Sequence, residues 1–224
     1  QLREATNWSV PIQIKLGACR VADDVKLAAK AGADSIVVDG MVAGTGASAE
    51  VLLDHSGIPT VPSIVMAREA LREIGLYRKV SLVASGGIRS GADVAKALAL
   101  GADAVAIGIA ALIALNCNRE IPESNFEEEI GVAAGQCHHC HTGKCPVGIA
   151  TQDSELVKRL DVDEGAERVA NFINSMTMEL ALLTRSLGKS DVHSLEPEDL
   201  AALTIEASAM AQIPLAGTDK VFGQ

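Results

Sequence analysis

The chain has 224 residues, with 19 Lys and Arg against 29 Asp and Glu, a formal net charge of −10 and 2% aromatic side chains. That composition excludes a nucleic-acid surface, which needs clustered cations for phosphates and flat rings for bases. The longest apolar stretch, residues 102–115, is broken by Asp103 and Gly108 and is too short to cross a bilayer.

The length suits one domain with a sizeable core. The opening QLREATNWSV, which reads as the tail of a helix, has no apolar leader core, so the expected location is the cytoplasm. Residues 11–16, PIQIKL, read as a strand with Lys15 near its C-terminal end, where parallel barrels carry functional groups. A lysine there can pair with an anionic substrate or the electron-rich edge of a cofactor ring, or simply close the strand in water. Cys19, just beyond, is expected to be a small buried residue. An amphipathic helix over 21–31 and a strand over 34–39, DSIVVD, complete a β-α-β unit typical of parallel α/β proteins.

Residues 40–50, GMVAGTGASAE, form a glycine-rich hydrogen-bonding loop suited to a cofactor or a carboxylate, since Met41 and Val42 would be wasted on a plain surface loop. A helix over 62–75 follows. Then residues 80–109 read as strand, turn, helix, strand, turn: a buried strand over 80–84, the turn Ser85-Gly86-Gly87-Ile88, a helix over 92–100 ended by Gly101, a strand over 104–107, and Gly108 opening a helix over 109–116. Glycine turns at the ends of neighbouring parallel strands aim backbone N–H groups at one point, with a helix N-terminus behind them, which is how a phosphate is held without a basic side chain. In (β/α)8 barrels that site follows strands 7 and 8. The competing reading is that such turns merely end strands. Four strands make half a barrel, so residues 1–117 are expected to be strands 5–8, with strands 1–4 supplied upstream or by another chain.

Residues 118–152 join an acidic connector to GQCHHCHTGKCPVGIATQ, where Cys137, Cys140 and Cys145 have the spacing C-x2-C-x4-C and Pro146 follows. Thiolates so close, ended by Cys-Pro, suit an iron–sulfur cluster, and three ligands fit three irons. Zinc on these cysteines and one of His138, His139 or His141 is the alternative, with free thiols a third reading. Cys117 is a candidate fourth ligand twenty residues earlier. Residues 153–224 read as a helical extension: helical over 154–187 with a break at 161–165, then a capped helix start over 194–200 and a loosely held AGTDKVFGQ. The extension is expected to pack on the barrel or on a partner.

The stretches PIQIKL, AGTGAS, SGGIRSGADVAKALALGADAVAIG and CHTGKCPVGIATQD, spread over residues 1 to about 160, resemble the C-terminal part of the FMN-binding synthase domain of the glutamate synthase family. The resemblance implies a TIM (β/α)8 barrel, an FMN whose phosphate lies on Ser85, Gly86, Gly87, Ile88, Gly108 and Ile109, and a catalytic Lys15 facing the flavin ring or a substrate carboxylate. It further implies Gly44, Thr45 and Gly46 on the substrate side and a [3Fe–4S] cluster on Cys137, Cys140 and Cys145. The reaction it implies is addition of ammonia to 2-oxoglutarate and reduction of the imine by reduced FMN. No N-terminal cysteine nucleophile is present, so a glutaminase-type domain or subunit and other synthase subunits are expected in a hetero-oligomer.

Two departures stand out. The family's His-Asp-Gly-Gly run is Met41, Val42, Ala43 and Gly44 here, and an insertion separates Cys117 from the other cysteines, leaving Cys137 better placed as first ligand. Both features look more like subunits of N-methylglutamate synthase, which join methylamine and glutamate. A reading of another class is a non-catalytic, zinc-stapled assembly subunit.

Overall fold

The computed structural model describes residues 1–44, 48–117, 128, 131 and 137–223. After a short helix α1 (Leu2–Ala5), four parallel strands alternate with helices: β1 (Gln13–Gly17), α2 (Val21–Lys30), β2 (Ser35–Asp39), α3 (Glu50–His55), α4 (Thr60–Glu73), β3 (Ser81–Ser85), α5 (Gly91–Ala99), β4 (Ala104–Ala106) and α6 (Ile109–Ala114). The sheet order is β1-β2-β3-β4, all parallel and, among the described residues, open at both edges, the order that four consecutive units of a (β/α)8 barrel have.

Alternation along the strands separates two faces. Ile36, Val38, Leu82 and Ala84 are buried beneath α2 and α4, joining Val25, Ile64 and Leu71 in the main core. The opposite face carries two cross-strand rows fixed by register: Lys15, Val37, Val83 and Ala104, then Gly17, Asp39, Ser85 and Ala106. The second row lies at the C-terminal strand ends, where barrels keep their chemistry. Helix α3 was not expected from the sequence; its EVLLDH is one and a half turns, too short for a clear period.

The C-terminal extension departs from the expected pattern. The break at 161–165 is a helix start: Asp161 accepts a hydrogen bond from the Glu164 amide and caps α7 (Val162–Ser186), while residues 154–160 precede the helix. Helix α7 packs along α5 and α6. The capped segment at 194–200 is a single 3-10 turn, Pro197–Asp199, closed by a capping box with Glu196, and the helix proper comes later as α8 (Ile205–Ala211). The last residues are not loose: the Ala216 amide donates to Ala202 O (2.8 Å), Leu215 N to Lys220 O (2.9 Å), and Phe222 N to the buried Ser208 hydroxyl (3.2 Å). Ser208 in turn donates to Ile213 O, so one small polar side chain ties the terminus to α8.

Lys189 fastens the turn after α7 by bonding Asp199, Glu196 and the Ser194 carbonyl. The Asp199 hydrogen bond raises Lys189 above its ordinary 10.5, and the same bond holds Asp199 below 3.8. The Asp199 contribution is therefore present above pH 3.8 and lost as pH falls through its lowered value; the Lys189 contribution is present below pH 10.5 and lost as pH rises through its raised value. Lys189→Met is accordingly expected to lower the melting temperature across the neutral range, with the gap to the parent closing at both pH extremes. Melting curves against pH check this.

Candidate functional site

A cavity of about 710 Å³ opens at the C-terminal ends of the strands. The Ser85–Ile88 turn, the Gly108–Ile109 junction and Lys15 all border it, so three separate stretches singled out in the sequence share one space. Gly86 and Gly87 have φ of +109° and +73°, conformations that L side chains rarely adopt. A Cβ on Gly86 would lie 2.8 Å from Thr60 Oγ1, and one on Gly87 3.0 Å from a Val42 methyl. The turn's carbonyls are engaged from behind: Gly40 N donates to Ser85 O (2.9 Å) and Thr60 Oγ1 to Gly86 O (2.9 Å). Gly108, which caps α6, has nothing within 4 Å of an added Cβ and so borders open space.

The expected helix N-terminus behind the first turn is already taken. At α5, Ser90 Oγ accepts from the Asp93 amide, and the Gly91 amide donates to the Glu179 carboxylate of α7 at 2.7 Å. A carboxylate from the extension thus sits where an anion would bind that helix. The start of α6, beside Gly108, remains on the cavity side.

Lys15 lies on the cavity wall, its Nζ 2.9 Å from Asp39 Oδ2. Gly44 lies elsewhere, in a second cavity of about 370 Å³ with Asp39, Gly40 and Cys19, while Thr45 and Gly46 fall outside the described residues. From the same loop, Val42 and Ala43 reach the larger cavity instead. Cys19 is exposed, not buried as expected, because β1 ends at Gly17 and the chain turns outward before α2.

In the cysteine loop Cys145 is buried with Val147, Cys137 packs against them, and Cys140 is exposed at the rim. Among the described residues no group of three His, Cys, Asp or Glu side chains is already gathered for a metal. Two of the cysteines therefore share an apolar patch, and Cys140 is exposed to solvent.

Among the wall residues that sequence reasoning missed are Arg168 and Phe172 of α7. Arg168 Nε donates to Ala114 O (3.2 Å), which seats it at the far end of α6. Nothing local in the sequence marks them, because their place depends on how α7 docks. Asp39 was missed too, although its position at a strand's C-terminal end was a usable signal.

The described geometry has counterparts. The chain matches the conserved region in glutamate synthase over residues 1–122 and 125–190. It is 54% identical over 218 residues to a glutamate synthase large subunit-like protein of Rhizobium meliloti (strain 1021), covering 97% of this chain and 49% of that protein. It is 45% identical over 195 residues to an archaeal glutamate synthase [NADPH] of Methanocaldococcus jannaschii, covering 87% of this chain and 35% of that one. The chain thus spans half or less of the length of these relatives. Among solved structures, a flavocytochrome b2 variant with pyruvate bound superposes with a TM-score of 0.53 at 22% identity, covering 91% of this chain and 37% of that one. That likeness is one of fold.

Proposed function

Because the chain belongs to the glutamate synthase family, we propose that it is the C-terminal half of an FMN-binding synthase barrel, with strands 5–8 in residues 1–117, an iron–sulfur loop in 118–152 and a packing extension in 153–224. The observation that carries this reading is the single cavity onto which both glycine turns and Lys15 open.

The residues present fit FMN. Gly86 and Gly87 have the backbone shape and lack the Cβ atoms that would press on Thr60 and Val42, and Gly108 leaves room at the second turn. In this reading Ser85, Gly86, Gly87 and Ile88 hold the phosphate from one side and Gly108 and Ile109 from the other. Lys15 offers a positive charge to the ring or to a substrate carboxylate, and Phe172 and Ile113 exclude water from the wall. Bound FMN supplies the hydride that reduces an imine of 2-oxoglutarate. Ammonia comes from a glutaminase-type domain or subunit, within a cytoplasmic hetero-oligomer.

The donor chemistry of Cys137, Cys140 and Cys145 is that of a [3Fe–4S] cluster: Cys137 and Cys145 pack with Val147, Ile149 and Ala150 in a soft and partly dry setting, and the exposed Cys140 would have to turn in to join them. A second reading, N-methylglutamate synthesis from methylamine and glutamate, is favoured by one observation. Val42 and Ala43, which replace polar and glycine positions of the family's loop, lie on the cavity wall, where they offer a methyl group apolar contact.

The intact protein, purified without oxygen, is expected to contain FMN and, per chain, three irons with acid-labile sulfide. Supplied with a reductant that keeps FMN reduced, it is expected to form glutamate from 2-oxoglutarate and ammonia; in the second reading it forms N-methylglutamate from methylamine and glutamate, with ammonia released. A colourless protein holding zinc and no flavin would replace this reading with the assembly-subunit one.

A further inference from the structure

We propose that Asp39 is a positioning residue for Lys15, setting both the direction and the effective charge of this one of the cations on the cavity wall, which also carries Arg89 and Arg168; this rests on the FMN reading above. The register of β1 and β2 puts Lys15 opposite Val37 and Asp39 opposite Gly17, all on the same face of the sheet. Lys15 and Asp39 are therefore diagonal neighbours, within reach of a long side chain. Gly17, opposite Asp39 and two residues beyond Lys15, adds no side chain to this corner, and nothing lies within 4 Å of where its Cβ would be. The long Lys15 side chain reaches diagonally to place Nζ 2.9 Å from Asp39 Oδ2.

The two partners are unequal. The Lys15 side chain is 58% exposed, while that of Asp39 is 20% exposed. Asp39 Oδ1 is buried and has no hydrogen-bond partner among the described residues. A carboxylate with one oxygen unsatisfied is a costly arrangement that a merely structural ion pair has no need of. Lys15 borders the larger cavity and Asp39 the smaller one, so the ion pair joins the two. A lone Lys15 would present a full positive charge to the bound ring; the pair presents much less. Asp39 thereby limits how strongly the site favours the more electron-rich, reduced form of the flavin.

The test compares dissociation constants of oxidised and reduced FMN on the intact protein. Asp39→Asn keeps an oxygen acceptor for Lys15 but removes the charge. It is expected to raise the ratio of oxidised to reduced Kd about tenfold, equivalent to a rise of about 30 mV for a two-electron couple. In a Lys15→Ala background only the direct loss of the carboxylate charge remains, so the same substitution is expected to raise the ratio clearly less, by about threefold or under. An unchanged ratio in the parent background overturns the proposal, as does an equal change without Lys15. Should Asp39→Asn fail to fold, Asp39→Ser removes the charge with a smaller side chain that keeps a hydroxyl acceptor. It is expected to raise the same ratio at least fivefold, and an unchanged ratio overturns the proposal. A parent protein that binds no FMN removes the proposed function itself, a different result from any of these.

Discussion

Gly87→Glu is expected to weaken FMN binding by at least about 100-fold, which is roughly 3 kcal/mol. Gly87 has φ +73°, and a Cβ there meets a Val42 methyl at 3.0 Å, so a longer side chain must turn away from Val42. Placed at the cavity wall, its carboxylate shares the cradle with a phosphate. Two unit charges about 4 Å apart near a protein surface repel by roughly 4 kcal/mol, and the left-handed backbone adds about 1–2 kcal/mol of strain to the variant itself. Gly87→Ala carries the strain without the charge and separates the two effects; its FMN affinity should fall only several-fold. Quenching of FMN fluorescence on titration measures both. An affinity for Gly87→Glu equal to the parent's means that the phosphate lies elsewhere.

The second large effect lies at the seam between barrel and extension. Gly91→Ala is expected to cost about 3 kcal/mol of stability, at the upper end for overpacking, because the new methyl meets backbone that cannot step aside. Its Cβ would lie 2.3 Å from Met176 O and 2.6 Å from Leu180 N, both on α7. Helix α7 must then lift from α5, which also breaks the bond from the Gly91 amide to Glu179 and leaves an amide at the α5 start without its acceptor. For a chain of this size that corresponds to a fall of roughly 10 °C in melting temperature. Gly17→Ala is the control, since its Cβ meets nothing within 4 Å. Arg168 and Phe172 reach the cavity from α7, so FMN affinity is expected to fall with stability in Gly91→Ala. Loss of stability without loss of affinity would show that the extension is only a support.

The same contrast runs through the site. The Ser85–Ile88 turn and Gly108 were legible because a glycine pair after a short apolar strand is a local signal: few other residues adopt the backbone the turn needs. Lys15 was legible for the same reason, as a charge ending an apolar strand. The cysteine spacing was equally plain, yet it did not foretell that Cys137 and Cys145 would share an apolar patch and leave Cys140 outside. Spacing limits how far apart three side chains can be; it does not aim them.

By itself, the sequence determined the four strands, their alternating faces and the glycine turns at their ends, since these follow from side-chain period and backbone sterics within a few residues. Tertiary structure alone decided that Asp39 pairs with Lys15, that Glu179 closes α5, that Arg168 and Phe172 complete the cavity wall, and that Ser208 pins the last residues. Each of those contacts joins residues brought together by sheet register or helix docking. Both are set by the summed burial of many side chains, so no single stretch of the chain records them.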